Sequence, residues 1–183
     1  MADGGDAAIA ETLFREGRKL SDGGDVAGAC AKFRESGRLD PAVGTTFNIA
    51  DCEERLGHLA DAWSSFQEVT QLLPASDRRR IIAAQRAAAI EPRLPKLRIH
   101  LVAGAPAGTV VEHDGAELRV ASLDVDLPEN PGEHVIVVKA LGHAPGRFTV
   151  ALAEGQRVPV EVSPGPLQPE STSGSDTTHV STS

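Results

Sequence analysis

Seven residues recur along this chain at one fixed spacing of 33: Phe14 as Phe47, Gly24 as Gly57, Ala27 as Ala60, Ala29 as Ala62, Phe33 as Phe66, Glu35 as Glu68 and Pro41 as Pro74. The chain holds only 5 Phe, so two Phe pairs in one register are not a chance alignment. A period of that length restricts the fold to stacked supersecondary units, because one such unit cannot bury its own apolar face. Each copy reads as a helix, a glycine-containing turn (DGGDVAG, then RLGHLAD), a second helix and a closing proline. A third segment, SDRRRIIAAQRAAAIEPRL, is rich in strong helix formers, opens on Ser76 as its expected N-cap and stops near Pro92. It suits a capping helix over the last exposed face. The repeats are expected over about 10–42 and 43–75 and the capping helix over 76–91, giving a helical unit at 8–91 behind a flexible 1–7.

Past Pro92 and Pro95 the apolar period changes from helical to alternating, which marks 92–95 as a linker and predicts an α+β chain of two domains. The runs LRIHLV, TVVEHD, LDVDL, HVIVVKA, RFTVAL and RVPVEV predict a small all-β sandwich of about seven strands over 96–163. Both alternating sets around 134–139 are mostly apolar, so that strand is expected to be central with both faces covered. Asp114-Gly115 and Glu154-Gly155 are expected hairpin turns. From Pro164 the chain is polar and of low complexity, and 164–183 is expected to be disordered.

Function is narrowed by what the chain lacks. A net charge of −8 disfavours nucleic acid and anionic lipid, and an aromatic content of 3% with no Tyr removes base-stacking platforms. No apolar run is long enough to span a membrane, and no basic leader followed by an apolar stretch opens the sequence. The signatures GxSxG, HExxH, GxxxxGK[ST] and a strand-borne GxGxxG do not occur, so no catalytic residue is assigned and an enzyme is not expected. The six histidines are His58, His100, His113, His134, His143 and His179. The nearest metal-ligand set is His113 and Asp114 with His134 or His143 across a hairpin, but ordinary surface histidines are the simpler reading, and neither metal nor cofactor is expected.

The pattern Gly24, Ala29, Phe33, Pro41, repeated as Gly57, Ala62, Phe66, Pro74, resembles the tetratricopeptide repeat. That family's Trp and Tyr of the first helix are replaced by Leu13 and Leu20 in one copy and by Thr46 and Glu53 in the other. The segments VVEHDGAEL and LPENPGEHVIVVKALGHAPGRFTVALAEGQRVPVEV resemble the PEGA-type β domain, with Pro128, Glu129, Asn130 and Pro131 at the motif that names it. Their order resembles a lineage of bacterial, myxobacteria-like proteins that pair the two modules. The resemblance implies a non-catalytic scaffold whose helices bind a protein or peptide, with the β domain as spacer or cell-envelope contact. Its first-helix face would present Phe14, Arg18, Phe47, Asn48, Asp51 and Arg55. It also places Cys30 and Cys52 on neighbouring helices, either bridged in an oxidising compartment or packed as free thiols. The competing classes are a metal- or ligand-binding β module, an enzyme accessory domain and a structural surface-layer element. An envelope location is slightly favoured over the cytoplasm.

Overall fold

The structure is a computed structural model and describes residues 4–168. Five helices come first: α1 (Gly4–Asp22), α2 (Val26–Leu39), α3 (Val43–Leu56), α4 (Leu59–Leu72) and α5 (Arg78–Ile90). The bounds of α2 and α4 differ by the repeat spacing at both ends. The turns between paired helices match as well, because Gly24 and Gly57 both take left-handed backbone, at φ 88° and 82°. A β-carbon disfavours that conformation, which is why glycine recurs there. Asp25 caps α2 by accepting a hydrogen bond from the Gly28 amide at 2.9 Å. The cap of α5 is Asp77, which accepts from the Arg79 amide at 2.8 Å, rather than the expected Ser76. A carboxylate at that position also meets the helix dipole favourably.

Each repeat folds around its phenylalanine. Phe33 packs on Phe14 with ring centroids 5.6 Å apart, and Phe66 packs on Phe47 at 5.8 Å. Phe33 clusters with Ala29, Cys30 and Cys52, whereas Phe66 clusters with Ala50, Leu59, Ala62, Val69 and Leu73 and with Ala83, Ala87 and Ile90 of α5. Small alanines let the helices approach, and α5 covers the apolar face that two repeats leave bare. Residues 4–7, expected to be flexible, form the first turn of α1. Among the described residues no helix is long and apolar enough to cross a membrane.

A short 3-10 turn, Glu91–Arg93, leads into seven strands: β1 (Lys96–Leu101), β2 (Val110–His113), β3 (Ala116–Leu118), β4 (Leu127–Pro128), β5 (Gly132–Lys139), β6 (Gly146–Leu152) and β7 (Arg157–Val162). They form two small sheets, ordered β4-β1-β7 and β3-β2-β5-β6. Leu97, Ile99, Val111, Ile136, Val138, Leu152 and Val162 fill the core they share. The chain is thus an α+β molecule with helices in its N-terminal part and sheets in its C-terminal part.

Several strand expectations need correction. The run LDVDL contributes only Leu127, because Asp124 adopts a φ of 63° that breaks the alternation. Strand β5 is central in its sheet, but Val135 and Val137 are only half-buried, so one face is covered fully. The Asp114-Gly115 turn does close a hairpin, pairing His113 with Ala116 through left-handed residues at φ 48° and 83°. Glu154-Gly155 does not, because β7 leaves β6 and pairs in parallel with β1. Its Gly155 amide donates to the Arg93 carbonyl at 2.7 Å, so the turn is pinned to the linker instead. Residues 164–168 are not loose: the Gly165 amide bonds the Ala144 carbonyl at 2.8 Å and Leu167 bridges His143. The expected disorder of the remaining tail lies outside the described residues.

Candidate functional site

The residues assigned to a partner-binding face do not behave alike. Arg18 and Arg55 are exposed, with Arg55 Nη1 donating to Ser21 Oγ at 3.1 Å. Phe14 and Phe47 are half-buried and spend their rings on the repeat cores. The Asn48 amide donates to the Gly44 carbonyl of its own helix at 2.8 Å, which occupies its nitrogen. Asp51 is bound by Arg86 of α5 at 2.6 Å, and the same guanidinium takes Glu54 at 2.7 Å while lying 4.6 Å from the centre of the Phe66 ring. Fork geometry, two carboxylates and an aromatic face together fix Arg86 firmly. Arg55 also pairs with Asp51 at 3.8 Å, so the face is a self-paired charged surface on which Arg18 is the exposed cation.

Cys30 of α2 and Cys52 of α3 form a disulfide, with Cα atoms 5.6 Å apart. Beside it lies a residue that sequence patterning does not single out as buried. Glu53 is 1% exposed and is held by Arg34 of α2 and by His58 Nδ1 at 2.7 Å. A buried carboxylate without such partners would be prohibitively costly, so the ionic pair across α2 and α3 and the disulfide clamp one seam.

A second cluster lies where the β sheets meet the helices. Strand β2 ends at His113, the tight turn supplies Asp114, the loop before β5 supplies Glu129 and Asn130, and β5 supplies His134. The rings of His113 and His134 stack at 5.3 Å. His134 Nδ1 lies 2.7 Å from Asp114 Oδ2 and its Nε2 lies 2.8 Å from the Asn130 carbonyl. Both are acceptors, an arrangement that favours the doubly protonated ring. Burial opposes its charge, but the bonds to Asn130 and Asp114 outweigh that and raise its pKa. His113 is the opposite case: burial lowers its pKa despite the nearby Asp114. Its Nε2 is buried and, among the described residues, makes no hydrogen bond, Asp114 Oδ2 lying 3.4 Å away, and its Nδ1 stands 3.5 Å from Glu129 Oε1. Burial pushes Glu129 up to about 7, with His134 offsetting part of that and Asp114 and Asp61 adding to it. For Asp114, burial is outweighed by bonds from the Val135 amide and His134, which hold its carboxyl low.

Asn130 turns this cluster into a joint. Its Oδ1 accepts from the Ala60 amide at 2.9 Å and the Asp61 amide at 3.4 Å, and its Nδ2 donates to Asp61 Oδ2 at 3.0 Å. Helix α4 has His58 at its cap position with no side-chain cap of its own, so a residue 70 positions away in the β part caps it.

Of the expected metal-ligand set, His113, Asp114 and His134 are brought together. His143 is elsewhere, with Nδ1 on the Gly165 carbonyl at 2.8 Å, and His179 lies outside the described residues. The structure brings Glu129 to the same group, and its only sequence signal is its place in the PENPGEH run leading to His134. No protein-family model matches the chain, and no curated protein matches it.

Proposed function

We propose that this chain is a non-catalytic scaffold, in which tetratricopeptide-like helix pairs offer a protein or peptide partner a charged face and a PEGA-like β module holds that face at a fixed attitude. The observation that carries the reading is the recurrence of one helix pair at the repeat spacing, with equivalent glycine turns and phenylalanine cores. Repeat stacks of this kind serve as extended binding surfaces. The Cys30–Cys52 disulfide supports residence in an oxidising compartment such as the cell envelope. An acidic partner segment suits the exposed guanidinium of Arg18, with Arg55 beside Asp51 on the same face.

The test is photo-crosslinking from the full chain in its native host. A photoreactive residue in place of Arg18 or Arg55 should trap one defined protein, and the same residue in place of Lys32 on α2 should not. The trapped protein, purified, should bind the unmodified chain and lose at least tenfold in affinity with Arg18→Glu. Equal labelling from all three positions, or binding indifferent to that substitution, removes the reading.

A further inference from the structure

We propose that His113, Glu129 and His134 form a binding site for a divalent transition-metal ion of the zinc class, and that the ion clasps the β module to helix α4 through Asn130. One donor atom from each of the three residues lies within 4.8 Å of the others. Zinc bonds nitrogen and oxygen at about 2.0–2.2 Å, which puts neighbouring donors of a tetrahedron about 3.4 Å apart. His113 Nδ1 and Glu129 Oε1 already stand at 3.5 Å, so the closure required falls on His134.

The donor chemistry fits an ion better than it fits the polar group set alone. His113 is nine-tenths buried, yet among the described residues its Nε2 makes no hydrogen bond, with Asp114 Oδ2 standing off at 3.4 Å, and its Nδ1 lies 3.5 Å from Glu129 Oε1. A buried imidazole nitrogen that makes no hydrogen bond is costly, and native proteins rarely leave one so. Glu129 is mostly buried, at 18% side-chain exposure, and no Lys or Arg salt-bridges it. By contrast the fully buried carboxylate of Glu53 is paired with both Arg34 and His58.

Asp114 supplies the outer support. It accepts from His134 Nδ1 at 2.7 Å and from the Val135 amide at 2.8 Å, the carboxylate–histidine arrangement that orients a ligating ring through its far nitrogen. That leaves His134 Nε2 for the ion. The Nε2 proton now shared with the Asn130 carbonyl passes to solvent as the metal binds, and that carbonyl, 2.8 Å away, stands as an added oxygen donor beside water. Glu129 and Asn130 are adjacent, and Asn130 caps α4. An ion on Glu129 and on the histidines of two strands therefore fixes the loop that carries the cap.

The experiment uses the full chain, oxidised, stripped with a chelator, and titrated with zinc chloride by calorimetry. One equivalent should bind, and His113→Ala and Glu129→Gln should each weaken binding at least tenfold, while His58→Ala, at the acidic cluster around Glu53, should leave it unchanged. Binding that survives both substitutions, or no saturable binding, overturns the site. Because these substitutions touch packed positions, a second measurement uses the unaltered chain: imidazole nitrogen NMR should show the His113 and His134 signals moving with zinc while His58 and His100 stay. Stationary His113 and His134 signals overturn the assignment. With zinc bound, the Ala60 and Asp61 amides should exchange with solvent at least threefold more slowly; unchanged exchange overturns the clasp.

Discussion

Phe33 and Phe66 occupy equivalent places but not equal ones. Both are buried within 1% of full coverage and each meets a first-helix phenylalanine, yet Phe66 also carries Arg86 on its ring face and touches the cluster that α5 completes. Phe33→Ala should cost roughly 3–5 kcal/mol by cavity formation, and Phe66→Ala the upper part of that range with a further contribution from the lost cation–π contact. Urea denaturation of the oxidised chain checks the order, and a Phe33→Ala variant less stable than Phe66→Ala would contradict it. The sequence announces both phenylalanines through their spacing. It does not announce Glu53, because a charged residue on a helical pattern reads as solvated until its partners, Arg34 and His58, are known to converge on it. Likewise Asn48 and Asp51 lie on the expected helix face but are consumed by Gly44 and Arg86, pairings that a linear pattern does not carry.

At the scale of elements, α4 borrows its start from another part of the chain. Caps of this kind contribute about 1 kcal/mol, so Asn130→Ala should destabilise the metal-free chain by that order and speed hydrogen exchange at Ala60 and Asp61 selectively. Asn130→Asp should not rescue it, since the new carboxylate keeps an acceptor but loses the donor to Asp61 and faces that residue's charge. Exchange rates at the two amides that match the parent chain in both variants would remove the cap from the account. Helix pairs and strand runs were legible because each is a local periodicity: the repeat spacing gives α2 and α4, and the alternation gives β1, β5 and β6. What was not legible depends on long separations. The pairing of β7 with β1 and the cap from Asn130 join residues that no window of the sequence contains together, and Glu129 meets His113 only through the loop that folds back before β5. LDVDL was misread because alternation describes side chains and says nothing of a left-handed φ at Asp124.

For the molecule as a whole, two fastenings act on different seams. The disulfide closes a separation of 22 residues between α2 and α3, and reducing it should lower stability by about 3 kcal/mol through the freed unfolded chain. Thermal unfolding with and without reductant, followed at helix and sheet wavelengths of circular dichroism, should show the loss in the helical signal first. A sheet transition that moves as far as the helical one would mean that the halves unfold together. The linker is fastened too: Arg93 binds Glu154 at 2.9 Å, and the Lys96 amide donates to the Gln156 carbonyl at 2.7 Å, so the turn before β7 is held beside the start of β1.

The parallel pairing of β1 with β7 decides how the molecule answers a pull. Six residue pairs, from Lys96 with Arg157 to Leu101 with Val162, join the strand by which the chain enters the sheets to the strand by which it leaves. Because the two run the same way, tension between the helices and the C-terminal side tugs the pair at opposite ends and slides one strand along the other. Every hydrogen bond between them then strains at once, whereas an antiparallel hairpin opens one bond at a time. Stretched by its ends in a force microscope, the chain should give up its helices at low force and its sheets last, at a higher one; sheets that part first would show that the load runs elsewhere. A tether anchored through such a module would stay taut while its helical head gave way.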